Sequence, residues 1–250
     1  MNTYVFDLDG TIVLNGKPVS DDITTALMDI RPHGKVIFAS ARPVRDMLPL
    51  LSESLHDCLM IGCNGGMAWI NGEFIFSNSF EDIHARDLID TLKKLSVPYV
   101  LDGLWNYSIS DTPHDFHQYI GTLSDNKVKE EKILVEGVSK ILILDAKARE
   151  HMDHLFKKRK YSFNIHHHKS DDLFDITPQV ENKYLALKRL GIDFRTTTAF
   201  GNDANDFAML KHANTAVFLG MKDDFKDADY YGSVTDIPTL LKDICSLGVN

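Results

Sequence analysis

The chain repeats one local grammar at its two ends and abandons it in the middle. From Tyr4 to Phe76, and again from Lys183 to Leu247, short apolar runs alternate with stretches of helical period, whereas residues 80–179 carry a full set of elements of their own. Strand and helix in alternation fold as a parallel sheet with helices on its faces. A middle segment that can build its own core reads as an α+β domain inserted into that sheet. A length of 250 residues accommodates two such units.

The local signals support this division. Tyr4-Val5-Phe6 is a short apolar strand that stops at Asp7-Leu8-Asp9-Gly10-Thr11, and Asn15-Gly16 predicts a type I′ hairpin flap within residues 12–19. Ser20 caps a predicted helix through Arg31, with Asp21 and Asp22 in its first turn, and residues 35–39 form a strand that delivers Ser40. Pro43 opens the next helix, residues 59–63 read as a buried strand, and Asn71-Gly72 joins strands 67–70 and 74–76. The C-terminal half predicts helices at 183–190, 205–212 and 237–247 and strands at 197–200 and 215–219. In the middle, Ile83, Leu88, Leu92 and Leu95 mark one helix and a second runs through Lys157; strands are expected at 99–101, 107–109, 141–144, 161–165 and 173–176. The expected fold is α/β: a Rossmann-like parallel-sheet core from residues 1–79 and 180–250, with the α+β unit at 80–179.

Charge excludes some functions. A net charge of -9 disfavours a nucleic-acid or anionic-membrane surface, since both need clustered Lys and Arg. The one dense basic run, Lys157 to Lys160, ends a predicted helix, where cations suit the negative pole. No apolar run reaches membrane-spanning length and the N-terminus lacks signal-peptide character, so a cytoplasmic location is expected. Cys58, Cys63 and Cys245 show neither CxxC spacing nor a disulfide framework and read as buried thiols.

In an open parallel sheet, ligands bind outside the carboxyl ends of the strands. Asp7, Ser40 and Gly201-Asn202-Asp203 are all predicted there. Asp7 and Asp9 leave the first strand two residues apart, so both carboxylates can overhang one crevice while Gly10 permits a tight turn. Taken alone, this pair reads first as an acidic turn capped by Thr11.

Phe6-Asp7-Leu8-Asp9-Gly10-Thr11 resembles the DxDGT signature of the haloacid dehalogenase-like superfamily, and three further motifs follow in that family's order. The resemblance covers the whole chain, and the insertion between the second and third motifs resembles the C2-type cap of Cof-type phosphatases. It implies a Mg²⁺-dependent phosphatase acting on small phosphomonoesters such as sugar phosphates, nucleotides or phosphorylated cofactors, as a monomer or homodimer. Asp7 is then the nucleophile that forms an aspartyl phosphate, and Asp9 the general acid and base, with its main-chain carbonyl on the metal. Ser40, in the second motif, binds the transferring phosphoryl group. Arg42 is available for substrate or phosphate, or is a surface ion-pair partner. Lys183, in the third, offsets charge on the nucleophile and phosphoryl oxygens.

The fourth motif is Gly201-Asn202-Asp203-Ala204-Asn205-Asp206, against a usual Gly-Asp-x-x-Asn-Asp. Asn202 replaces the expected metal-binding aspartate, so Asn202, Asp203 and Asp206 are all candidate ligands beside Asp7 and Asp9. Asn205 and Asp206 are expected to orient Lys183 and metal-bound waters, or simply to cap the next helix. Ala41 replaces the Gly usual between the hydroxyl residue and Arg42. Asn64-Gly65-Gly66 resembles a Cof-type loop facing the active site, and is equally a plain turn. His166-His167-His168 lacks ligand spacing and reads as surface or cap-face histidine. Trp105, Tyr107 and His114 lie where a cap selects substrate, with the aromatics read as cap core. A phosphosugar mutase on the same scaffold and a degenerate phosphate-binding module are the alternatives.

Overall fold

The computed structural model describes residues 2–167, 173–178 and 181–247. The expected domain boundary at 179/180, Val180 among its residues, and His168 lie outside the described residues. Residues that alternate apolar on both faces build the larger sheet. Its strands are β1 (Asn2–Phe6), β2 (Gly34–Ala39), β3 (Leu59–Gly62), β4 (Met67–Ile70) and β5 (Glu73–Ser77). A second, smaller sheet takes β6 (Tyr99–Asp102), β7 (Tyr107–Ile109), β8 (Lys140–Ile143), β9 (Asn164–His167) and β10 (Phe174–Thr177). The chain then returns to the first sheet with β11 (Thr197–Gly201), β12 (Thr215–Leu219) and β13 (Tyr230–Gly232).

The larger sheet is eight-stranded in the order β13-β12-β11-β1-β2-β3-β4-β5, parallel from β13 to β3 and antiparallel through β4 and β5. Successive side chains point to opposite faces. Tyr4, Phe6, Phe38, Phe200 and Val217 therefore meet α1 (Asp21–Ile30) through Ile23, Leu27 and Ile30 on one side, joined by Ile237 and Leu241 from the C-terminal helix α9 (Ile237–Leu247). Val5, Ile37, Ala199 and Phe218 meet α7 (Lys183–Arg189) and α8 (Phe207–His212) on the other. The remaining core helix, α2 (Val44–Met47), follows β2. Strand order reverses at β1, which has β2 on one side and β11 on the other, so the crevice at its carboxyl end is the ligand position that this topology favours.

The smaller sheet, β7-β6-β8-β10-β9, is antiparallel throughout. Leu101, Ile141, Ile143, Phe174 and Ile176 pack on α3 (Asp82–Lys94), α5 (Glu130–Glu136) and α6 (Arg149–Arg159). The alternate positions Val100, Asp102, Lys140, Leu142 and Asp175 face the opposite way, where Val100 and Leu142 pack with Ile120 of α4 (Asp115–Leu123). That face, with its charged residues, turns toward the crevice of the larger sheet.

Several expectations change. Residues 12–19 form turns rather than a hairpin ladder; Asn15 and Gly16 adopt the left-handed φ of 53° and 66° that the pair signalled, but Val13 makes a single parallel bridge to Asp9. Helices α4 and α5 and strand β13 are absent from the sequence reading. Ile83 is 69% exposed, and Ala85, Leu88, Ile89 and Leu92 form the buried face of α3 instead. His166 is buried, its Nε2 3.1 Å from the Thr177 hydroxyl, rather than on the surface. Tyr107 is core as expected; Trp105 is partly exposed and meets the Phe74 ring edge-on.

Candidate active site

Three parallel strands end level with one another. Phe6 pairs with Phe38 on one side and Phe200 on the other, so the residues that follow emerge together: Asp7 after β1, Ser40 after β2, Asn202 after β11. Asp7 remains tied to the sheet by its N–H, which donates to the Phe200 carbonyl at 3.0 Å. Lys183 arrives from the first position of α7, where the Asn182 side chain accepts the Leu185 N–H at 2.9 Å and caps the helix.

Lys183 is fully buried and its ammonium group donates to Asp7 Oδ1 at 2.5 Å and Asp206 Oδ1 at 2.6 Å. The other Asp7 oxygen accepts the Thr11 hydroxyl at 2.9 Å. Burial, with Asp206 and Asp9 nearby, pushes the Asp7 carboxyl up to about 7 against the opposing pull of Lys183. Lys183 itself is held charged: burial disfavours the ammonium, but Asp206 and Asp7 outweigh it and raise its pKa.

Asp206 completes this arrangement. Its Oδ2 accepts the backbone N–H groups of Asn202 and Asp203 at 3.0 and 3.1 Å, so the carboxylate pins the loop after β11 as well as Lys183. Gly201 makes this approach possible, since a Cβ there would lie 2.5 Å from that of Asp206. Asp203 caps the same turn through the Ala204 N–H at 2.7 Å and lines the cavity. The Asn205 amide donates to the Asn64 side chain at 3.1 Å, linking the fourth motif to the Asn64 loop.

The Asn202 side chain turns toward Asp7. Its inward atom lies 3.1 Å from Asp7 Oδ2, 2.9 Å from the main-chain oxygen of Asp9 and 3.3 Å from the Thr11 hydroxyl. Gly10, at φ 78°, gives the amide its room: a Cβ there would collide with the Asn202 nitrogen. Asp9 points elsewhere. Arg42 holds it bidentately, with Nε to Oδ2 at 2.6 Å and Nη2 to Oδ1 at 2.8 Å. Ser40 is buried and its hydroxyl accepts the Arg42 N–H at 3.1 Å.

Asp7, Asp9, Ser40, Arg42, Asn202, Asp203 and Asn205 all line one cavity of about 620 Å³. Its other wall comes from the smaller sheet and α4: Asp102, Lys140, Leu142 and Asp175 with Phe116 and Tyr119. The two walls touch. The Tyr119 hydroxyl accepts from Arg42 Nη2 at 3.0 Å and donates to the Gly16 carbonyl at 3.3 Å. Lys140 donates to the Ala41 carbonyl at 3.1 Å while lying 3.4 and 3.3 Å from Asp102 and Asp175, and Arg45 bridges Asp46 and Asp102 at 2.7 and 2.8 Å. Sequence reasoning missed Tyr119, Asp102, Lys140 and Asp175. For Tyr119 there was no signal without α4; for the other three, charged residues within or directly beside apolar strands of the middle segment were the available one.

The chain from residue 4 to residue 225 matches the family of haloacid dehalogenase-like hydrolases. YkrA of Bacillus subtilis is 24% identical over 224 residues, covering 86% of this chain and 84% of that one. A phosphoglycolate phosphatase of Methanobrevibacter smithii is 23% identical over 239 residues, covering 92% and 91%. The structure of the HAD subclass IIB sugar phosphatase BT4131 superposes with a TM-score of 0.79 at 21% identity, over the full length of both chains. The three strand-end motifs with Lys183 at the start of α7, the reversal of strand order at β1 and the match over most of the sequence place this chain in the haloacid dehalogenase-like hydrolase family.

Proposed function

We propose that the protein is a phosphomonoesterase for small phosphorylated molecules, in which Asp7 attacks phosphorus. The observation that carries this reading is the clamp on Asp7: a buried carboxylate at a strand end, held from opposite sides by Lys183 and Thr11, with its motif lining a cavity large enough for a small metabolite. Attack by Asp7 forms an aspartyl phosphate and expels the ester oxygen, to which Asp9 delivers a proton. Asp9 then takes a proton from water as that water attacks phosphorus, releasing phosphate and restoring Asp7. Ser40 and Lys183 donate to the phosphoryl oxygens, and Arg42 orients Asp9.

A divalent cation fits between Asp7 and Asp9. With the Asn202 amide oxygen inward, that atom, Asp7 Oδ2 and the Asp9 carbonyl converge at separations of 3.1 and 2.9 Å. Oxygens around Mg²⁺, at about 2.0–2.1 Å from the ion, have neighbouring edges of about 2.9 Å. Asp7, Asp9 and Asn202 would hold the ion, while Asp206 is engaged with Lys183 and two backbone N–H groups. When bound, the ion neutralises the carboxylates and lowers the Asp7 pKa, favouring the ionised nucleophile.

Residues 80–179 form the cap in this reading, and the contacts of Tyr119 and Lys140 with the core support closure over the cavity. The leaving group lies against that wall. A sugar phosphate suits the size and mixed polarity of the cavity, and likeness to a sugar phosphatase is consistent with it. The test is hydrolysis of an aryl phosphate: the wild type releases phosphate with Mg²⁺ and not in chelator, and Asp7→Asn is folded and inactive. Undiminished turnover by Asp7→Asn removes the assignment. Transfer of the phosphoryl group to a second sugar position without release of phosphate would favour a mutase.

A further inference from the structure

We infer that Asn202 is a reversible stand-in for the cation, holding the Asp7–Asp9 cradle together by hydrogen bonds when no ion is bound and turning its oxygen inward to admit one. The inference rests on the cation reading above. Its basis is the position of the amide, which sits 3.1 Å from Asp7 Oδ2, 2.9 Å from the Asp9 carbonyl and 3.3 Å from the Thr11 hydroxyl. Asp7 Oδ2 and the Asp9 carbonyl are acceptors only. An inward oxygen therefore faces two acceptors and can accept only from the Thr11 hydroxyl, 3.3 Å away and already donating to Asp7 Oδ2 at 2.9 Å, so a cation satisfies it better; an inward nitrogen donates to both acceptors directly.

The two orientations differ by a half-turn about the terminal torsion of the side chain, which is broad and roughly two-fold in energy. An aspartate at this place has no such choice. It would set a second carboxylate oxygen about 3.1 Å from Asp7 Oδ2 and 2.9 Å from the Asp9 carbonyl, with no hydrogen to donate to either, a repulsion that a bound ion relieves. Asparagine costs the site one negative charge toward the cation and adds hydrogen bonds that the ion must displace. Both effects weaken cation binding and preserve the cradle without it.

Lys183 and Thr11 hold Asp7 independently of the ion, so the amide acts on a cradle already fixed on its other sides. The expected behaviour is a protein indifferent to chelator in its stability, with a weak and readily exchanged Mg²⁺.

Titration calorimetry with MgCl2 and thermal unfolding in EDTA or saturating Mg²⁺ test this on wild type, Asn202→Asp and Asn202→Ala. Asn202→Asp is expected to bind Mg²⁺ at least tenfold more tightly, to melt below wild type in EDTA and to gain more from Mg²⁺. Asn202→Ala, lacking both orientations, is expected to melt below wild type in EDTA and to bind the ion more weakly. An Asn202→Asp protein as stable as wild type in EDTA, with unchanged Mg²⁺ affinity, would overturn the inference while leaving the cation reading intact. Absence of Mg²⁺ binding by wild type and Asn202→Asp alike would overturn that reading, and the inference with it.

Discussion

Lys183 keeps its charge inside the core because Asp7 and Asp206 meet it there, and neither carboxylate is exposed enough to be satisfied by water. Removing the cation strands two buried acids, a change that costs about 3–5 kcal/mol when one partner of a buried pair is lost. Lys183→Met is therefore expected to lose about that much in urea unfolding as well as its activity; a variant as stable as wild type would show that the clamp is not under electrostatic load. The thiols give a second test at this scale. Burial pushes Cys58 up to about 11 and raises Cys63 further, so neither is a thiolate near neutrality. Of the three cysteines, only Cys245 is expected to react with Ellman's reagent at pH 8 in the folded protein, and all three after denaturation. Rapid labelling of Cys58 or Cys63 in the native state would contradict the packing described around them.

Among the elements, α7 links local sequence to chemistry most directly, since the residue after its cap is the ammonium that meets Asp7. Asn182→Ala removes the cap and is expected to cost about 1 kcal/mol of stability. Its effect on kcat should exceed what that loss of folded protein explains, because Lys183 moves with the first turn; an unchanged kcat would separate the cap from the site. The strands and helices that carry the motifs were legible because each has a period, a cap or a stop that can be seen locally: Ser20 before α1, Gly34 opening β2, Asn182 before α7. The flap was half legible. Asn15-Gly16 announced the left-handed turn, yet no ladder forms, since pairing needs partners that local sequence does not specify. Helices α4 and α5 escaped notice because α5 is short and α4 starts from His114, an unusual cap whose Nδ1 accepts the Phe116 N–H. With α4 went Tyr119, whose hydroxyl accepts from Arg42.

At the scale of the molecule, two sheets enclose one cavity and are tied across it by a buried ionic array. Arg45 spans Asp46 in the core and Asp102 in β6, and Lys140 spans Asp102, Asp175 and the Ala41 carbonyl. Such arrays are weak sources of stability when intact but costly to break. Arg45→Met is expected to destabilise by about 3–5 kcal/mol, read by denaturant unfolding; a loss below about 1 kcal/mol would mean that the array is not coupled to folding. Tyr119→Phe, by contrast, is expected to leave stability within about 0.5 kcal/mol and to raise KM more than it lowers kcat, because it loosens closure without touching Asp7. Equal KM with lowered kcat would instead place Tyr119 in the chemistry. The residues that converge on Asp7 come from four distant stretches of chain, and the whole account depends on that carboxylate accepting phosphorus. Rapid acid quench during turnover of a phosphomonoester with Mg²⁺, followed by peptide mapping, tests it most directly. A phosphoryl group on the peptide that contains Asp7, absent from folded Asp7→Asn, is the predicted result; steady turnover with no phosphorylated protein in the quench, undiminished in Asp7→Asn, would contradict it.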